Sequence, residues 1–208
     1  MHCAEACMTS DINTNPMPPA IIHFLAWTLR EIIIINNLSF SDFDALQLAV
    51  VMGARVIAVD ISEEKLEAAH NLGAEVTINS SESDFVPEIR RLTDGEGADL
   101  IVEAVGGSQI PAILEQSIQA LRLCGRLVLL GYQYGQLFSL DPQKIVYDEL
   151  EIIGARASVR QDLVDVISLV ERGKIRPMIS ECFPLEQANE AFVKLRRSTS
   201  LGRMILTL

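Results

Sequence analysis

Apolar and polar positions along the chain alternate between two rhythms. Ile32–Ile35 is an unbroken β-branched run, the pattern of a strand covered on both faces. Ala45, Leu46, Leu48, Ala49 and Met52 then give a helix its apolar side, with Asp42 or Asp44 positioned to cap it and Gly53 to stop it. "RVIAVD" (Arg55–Asp60) predicts a second strand. Ser62 is positioned to cap the helix "EEKLEAAHNL", whose first turn holds Glu63 and Glu64, where the helix dipole favours negative charge, and Gly73 ends it. "EVTIN" predicts a third strand and "SDFVPEIRRLT" a helix that tolerates Pro87 near its start. After the loop "DGEGAD", Leu100–Gly106 predicts strand four and Ile110–Leu123 a helix, and "CG" turns the chain into strand five, Arg126–Gly131. The loop "YQYGQLFSLDP", a helical "QKIVYDE" and the strand "LEIIGA" follow. An amphipathic helix spans Asp162–Arg172 and ends at Gly173. The tail adds a short "RPMIS" segment, a helix over Leu185–Leu195 and a last strand, "RMILTL".

From Ile32 to about Gly154, strands and helices take turns. Consecutive strands separated by helices need crossover connections, so the expected fold is an α/β, doubly wound parallel sheet with helices on both faces. Residues 1–19 are polar and carry Pro16, Pro18 and Pro19, the pattern of a poorly ordered lead-in. The expected division is a lead-in over 1–31, a nucleotide-binding-type sheet over 32–157, and terminal helices with a final strand over 158–208.

Composition narrows the picture a little. With 208 residues, 49% of them hydrophobic, the chain can bury a proper core. A net charge of −11 argues against a nucleic-acid groove, which needs a basic face. Cys3, Cys7, Cys124 and Cys182 follow no framework, and free, reduced thiols are expected. The start lacks the basic and apolar regions of a secretory signal. Thr28, Arg30 and Glu31 interrupt the apolar "AIIHFLAW" well short of the roughly 18 residues of a membrane span. A cytoplasmic protein without membrane contact is the expectation.

Candidate chemistry begins with Asp60, at the carboxyl end of the second strand. In a dinucleotide fold an acid at this point hydrogen-bonds the adenosine ribose and repels a 2′-phosphate, favouring NAD over NADP. A strand-end aspartate facing solvent is the plainer reading of the same residue. Lys65, in the next helix, is positioned to reach the same ribose, or else is simply solvated. The turn after the first strand should carry G-x-G-x-x-G, about 20 residues before the acid. Here that spacing holds Asn37, Ser39 and Asp42 instead, and Asn37 precedes Asp60 by 23 residues.

The span from Ala45 to Leu208 resembles the cofactor-binding half of the medium-chain dehydrogenase/reductase superfamily, zinc-type alcohol dehydrogenase branch. The segments "ALQLAVVMGARVIAVDISEEKLEAAHNLGAEVTINSS", "GEGADLIVEAVGG", "LRLCGRLVLLGYQ", "LEIIGARASVRQDLVDVISLVERGKIRP" and "FPLEQANEAFVKLRRSTSLGRMILTL" carry the resemblance, in the family's order. It implies a Rossmann-type sheet and hydride transfer between an alcohol or polyol and NAD(P). It implies ribose contacts from Asp60 and Lys65, and an adenosine rim at Ala104 and Val105. Gly131 would lie beside the nicotinamide, and Ala155–Ala157, with Arg156 at its centre, against the carboxamide. Arg203 would reach the pyrophosphate. It also implies a homodimer through the edge strand Leu150–Gly154.

Two departures stand against it. Ser39 adds atoms where the pyrophosphate must approach, and Asp42 puts a bulky anion where the third glycine allows close helix packing. A carboxylate there competes with the diphosphate for the helix N–H groups, so a large loss of NAD affinity is expected. The family's β-rich substrate domain, which supplies the zinc ligands, has no counterpart in residues 1–44, and His2, His23 and His70 are isolated, so neither a metal site nor a catalytic residue is assigned. A truncated gene, a shifted reading frame or a misplaced exon boundary would explain the break before Ala45. The alternative to a weakly active or inactive enzyme part is a non-catalytic module acting through self-association. Its surfaces would be the edge strand and the apolar side of the tail helix, Leu185, Ala188, Phe192 and Leu195.

Overall fold

The computed structural model describes residues 32–36, 38, 40–104, 109–196 and 201–208. Six parallel strands form the central sheet: β1 (Ile32–Asn36), β2 (Arg55–Asp60), β3 (Val76–Asn79), β4 (Ala98–Glu103), β5 (Leu121–Leu129) and β6 (Glu151–Gly154). Their order is β3-β2-β1-β4-β5-β6, with every neighbouring pair parallel. Between them run α1 (Phe40–Val51), α2 (Glu63–Asn71), α3 (Phe85–Leu92), α4 (Ile110–Ala120) and α5 (Pro142–Tyr147). After β6 come α6 (Arg160–Glu171), β7 (Ile179–Pro184), a 3-10 turn (Leu185–Gln187), α7 (Ala188–Arg196) and β8 (Arg203–Thr207). The strands β7 and β8 pair parallel as a separate two-stranded sheet.

The central strand shows why a continuous β-branched run was needed. Ile33 and Ile35 pack with Phe43, Leu46 and Ala49 of α1 and with Leu66 and Ala69 of α2. Ile34 points the other way, into a cluster with Phe85 and Ile89 of α3 and Ile110, Leu114 and Ile118 of α4. All three isoleucines are fully buried, and each such burial contributes roughly 1.5–3 kcal/mol.

The observed elements differ from the expected ones in instructive places. The helix α1 begins at Phe40, so Asp42 lies in its first turn and Asp44 one turn into it, both past the N-cap position itself. Ser62 occupies the N-cap of α2, but its side chain makes no capping bond. The helix α4 stops at Ala120, and β5 starts at Leu121, ahead of the "CG" pair. The register between β4 and β5 shifts from Ala98↔Leu121 to Leu100↔Arg126, so Cys124 and Gly125 form an irregularity inside the strand. Cys124 takes up that slack at φ 58°. It is disulfide-bonded, which overturns the expected free thiol at this half-exposed position, whereas Cys182 is free and exposed. Cys3 and Cys7 lie outside the described residues. Gly97 is required where the chain enters β4: at φ +99°, an added Cβ would stand 2.6 Å from the Ala120 carbonyl oxygen.

The tail is pinned to the sheet through α1. Gln47, buried in that helix, accepts from the Arg176 N–H at 2.7 Å and donates to the Arg176 carbonyl at 2.9 Å. Ile175 joins the core cluster beside α1. Arg203 of β8 forms an ion pair with Asp44 at 2.6 Å. No described helix is long and apolar enough to cross a membrane.

Candidate functional site

All six strands of a parallel sheet end on one edge, and in this strand order the chain reverses its winding between β1 and β4. Ligands of open α/β sheets bind outside the carboxyl ends of the strands at such a point. Three of those ends carry buried polar residues: Asn36 on β1 (2% exposed), Asp60 on β2 (2%) and Glu103 on β4 (1%). Asp42, in the first turn of α1, is wholly buried as well. Polar groups are this deeply buried only where the fold has a reason to hold them.

Asp60 is the best-built of the group. Its Oδ1 accepts from the Ser62 N–H at 2.9 Å, and its Oδ2 lies 3.5 Å from Lys65 Nζ. The strand–turn–helix of β2 and α2 produces this geometry, because Lys65 sits in the first turn of α2 and reaches back over the strand end. Asp60 therefore does not face solvent; Lys65, partly exposed, is its outward flank. A carboxylate offers about four lone-pair directions, so two such contacts leave room for a vicinal diol.

The remaining sequence-derived residues scatter along the same edge. The Glu103 carbonyl accepts from Leu130 N–H at 2.8 Å and from Gly131 N–H at 3.2 Å, which fixes Gly131 beside the end of β4. Ala104 is half-buried directly after β4. Arg156 is exposed, past the end of β6, between Ala155, whose N–H donates to the Leu129 carbonyl at 2.9 Å, and Ala157 at φ +60°. Arg203 reaches α1, where it forms an ion pair with Asp44 at 2.6 Å. Asn37, Ser39 and Val105 lie outside the described residues. Asn36 and Glu103 were not singled out from the sequence. A polar residue closing a β-branched run at a strand's carboxyl end was the available signal.

The donor chemistry fits a nicotinamide dinucleotide at one end only. A buried carboxylate with an adjacent ammonium suits ribose hydroxyls. The fully buried Asp42 at the amino end of α1 does not suit a diphosphate, which wants those N–H groups and the positive end of the helix dipole for itself. Zinc does not fit the described residues, which gather no group of three or more His, Cys, Asp or Glu side chains able to hold a metal. His70 is exposed on α2, its Nδ1 at 3.3 Å from the Ala74 carbonyl. His2 and His23 lie outside the described residues.

Known proteins share the sequence pattern and the fold of this chain. The chain is 36% identical over 163 residues to an NAD-dependent alcohol dehydrogenase of Sulfurisphaera tokodaii, covering 78% of this chain and 46% of that protein. It is 33% identical, with the same coverage, to an NAD-dependent alcohol dehydrogenase of Saccharolobus solfataricus. The structure of benzyl alcohol dehydrogenase from Acinetobacter calcoaceticus superposes with a TM-score of 0.82 at 28% identity, covering 91% of this chain and 52% of that one. The chain thus spans about half the length of the curated relatives it matches. The sheet order, the Asp60 site and the similarity converge with a family model that matches residues 45–172, and on these grounds the chain belongs to the zinc-binding dehydrogenase family.

Proposed function

We propose that this chain is the cofactor-binding part of an alcohol dehydrogenase-type oxidoreductase, NAD-linked rather than NADP-linked, acting in the cytoplasm on alcohols or polyols. The division expected from the sequence goes with that proposal, a nucleotide-binding domain over 32–157 and a tail over 158–208. The observation that carries the reading is Asp60, buried at the carboxyl end of β2 with Lys65 alongside. Its carboxylate would accept the ribose hydroxyls and repel a 2′-phosphate. Turnover by this chain alone is weak or absent on the same reading, because Asp42 opposes the diphosphate and the described residues supply no zinc donor set. When bound, NAD supplies the hydride acceptor. What this chain's residues do is orient the ribose end.

The ribose end can be tested without the diphosphate. In calorimetric titrations, adenosine should bind at least about tenfold tighter than adenosine 2′-phosphate, a gap of about 1.4 kcal/mol, and Asp60→Asn should narrow that gap. Equal affinity for the two ligands in the unmodified chain would sink the assignment of Asp60. With NAD and a panel of short alcohols and polyols, reduction should stay at background.

A second reading is a non-catalytic module that self-associates. It is favoured by β6, an edge strand, and by the exposure of Val146 and Tyr147 just before it (71% and 75%). Leu185, Phe192 and Leu195 of the tail are exposed too. An unpaired edge beside apolar surface invites pairing with a second copy. Light scattering after size exclusion separates the readings: a dimer that binds no nucleoside supports the module, and a monomer excludes it.

A further inference from the structure

The helix α6 has two apolar faces. Val166 and Leu169 turn inward and pack against the core cluster. Leu163, Val164, Ile167 and Val170 turn outward and are exposed at 59%, 49%, 48% and 37%. Arg160, Val164, Ile167 and Glu171 form one line along that outward face, spaced i, i+4, i+7 and i+11, the spacing of a helix-pairing seam. Arg160 and Glu171, at its two ends, are exposed. Neither forms an ion pair among the described residues.

Both end charges are set against the helix that carries them. A cation in the first turn and an anion in the last each oppose the macrodipole, so the stability of α6 by itself gives no reason for them. A second copy of the same helix, turned end for end, does. The line reads cation, apolar, apolar, anion. Antiparallel pairing brings Arg160 against Glu171 of the second copy and Val164 against Ile167 of the second copy, and the two-fold axis repeats both contacts. Parallel pairing would instead face cation with cation and anion with anion. We propose that the outward face of α6 is an antiparallel, two-fold docking surface for a second copy of this chain, two Arg160–Glu171 pairs closing the ends of an apolar centre made by Val164 and Ile167. The surface is separate from the β6 edge, and its pairing needs neither Asp60 nor a bound nucleotide. The apolar centre supplies most of the affinity, because exposed ion pairs contribute little, and the charges fix orientation and register. A single helix face buries no more than the low end of stable interfaces, about 1,200 Å² in total, so a dimer in the micromolar range is expected.

Sedimentation equilibrium of the full chain from about 1 to 500 μM tests this, with circular dichroism confirming that each variant is folded. The unmodified chain should dimerise, and more weakly as salt rises from about 50 to 500 mM. Arg160→Glu and Glu171→Arg should each weaken the dimer at least about tenfold, because each leaves like charges facing at both ends. Mixing the two singly substituted chains should restore association to within about threefold of the unmodified dimer, since each then meets its opposite, and combining both substitutions in one chain should do the same. Ile167→Ser should weaken the dimer at least about tenfold with no rescue by mixing. A chain that stays monomeric throughout would overturn the proposal. So would a dimer that Arg160→Glu, Glu171→Arg and Ile167→Ser leave unchanged, since self-association would then lie elsewhere, the β6 edge included. Charge reversals that weaken the dimer without rescue by mixing or by the double substitution would overturn it as well, because the two residues would not then face each other.

Discussion

Replacing Gln47 by alanine should loosen the tail from the sheet. Gln47 is 6% exposed and holds both the N–H and the carbonyl of Arg176, at 2.7 and 2.9 Å, across 129 residues of sequence. Each hydrogen bond of this kind contributes about 0.5–1.5 kcal/mol net. Truncation also removes roughly one to two buried methylene equivalents, at about 0.8 kcal/mol each. Water can rehydrate the freed Arg176 groups, because Arg176 itself is exposed, so the cost stays near the lower part of the sum, about 2–3 kcal/mol. Urea unfolding followed by circular dichroism reads the loss as a lower midpoint at unchanged slope. Amide exchange should accelerate first over residues 175–183, which depend on this anchor. A midpoint shift equivalent to less than about 0.5 kcal/mol would refute the reasoning, since it would mean that Ile175 and its neighbours hold the tail without Gln47.

Four further outcomes are expected. Ile34→Ala, at a fully buried site in the central strand, should cost about 2–5 kcal/mol in urea unfolding. Gly97→Ala should destabilise by more than about 2 kcal/mol, since its Cβ would meet the Ala120 carbonyl oxygen at 2.6 Å on a backbone of φ +99°, and thermal unfolding will read it. Arg203→Ala should change stability by no more than about 1 kcal/mol and the effect should shrink in salt, because the pair with Asp44 is half-exposed. The Arg91 hydrogen bond holds the Glu88 carboxyl below its ordinary range, so its small contribution is present above the unfolded carboxylate pKa and disappears as pH falls through the folded one. Carbon-detected NMR titration should show that depressed value return to normal in Arg91→Ala.

Much of the fold was legible in the chain because local physics and global packing agree there. Ile32–Ile35 reads as a doubly covered strand and is one, since β-branched residues at consecutive positions have no other stable use in an α/β sheet. "RVIAVD" was legible in full. The strand β7 was not, because most of its residues are exposed and an unburied strand carries no period-two signal. The early start of β5 was hidden for a related reason: Leu121–Cys124 looks like the end of a helix until β4 lies beside it to accept the shifted register.

The candidate site divides in the same way. Sequence by itself determined that Asp60 closes the second strand, that the turn after the first strand holds Asn37, Ser39 and Asp42 and no glycine, and that the residues from Ala45 onward follow one family's order. Residue type and spacing are one-dimensional quantities, and these are one-dimensional facts. Only the tertiary structure decided that Asp60 is buried beside Lys65 rather than solvated, that Asn36 and Glu103 end buried at the same sheet edge, and that Arg203 is held by Asp44. Burial and pairing depend on which distant segments the sheet brings to one edge, and that is settled by the crossovers and the strand order, not by any residue's near neighbours in the chain.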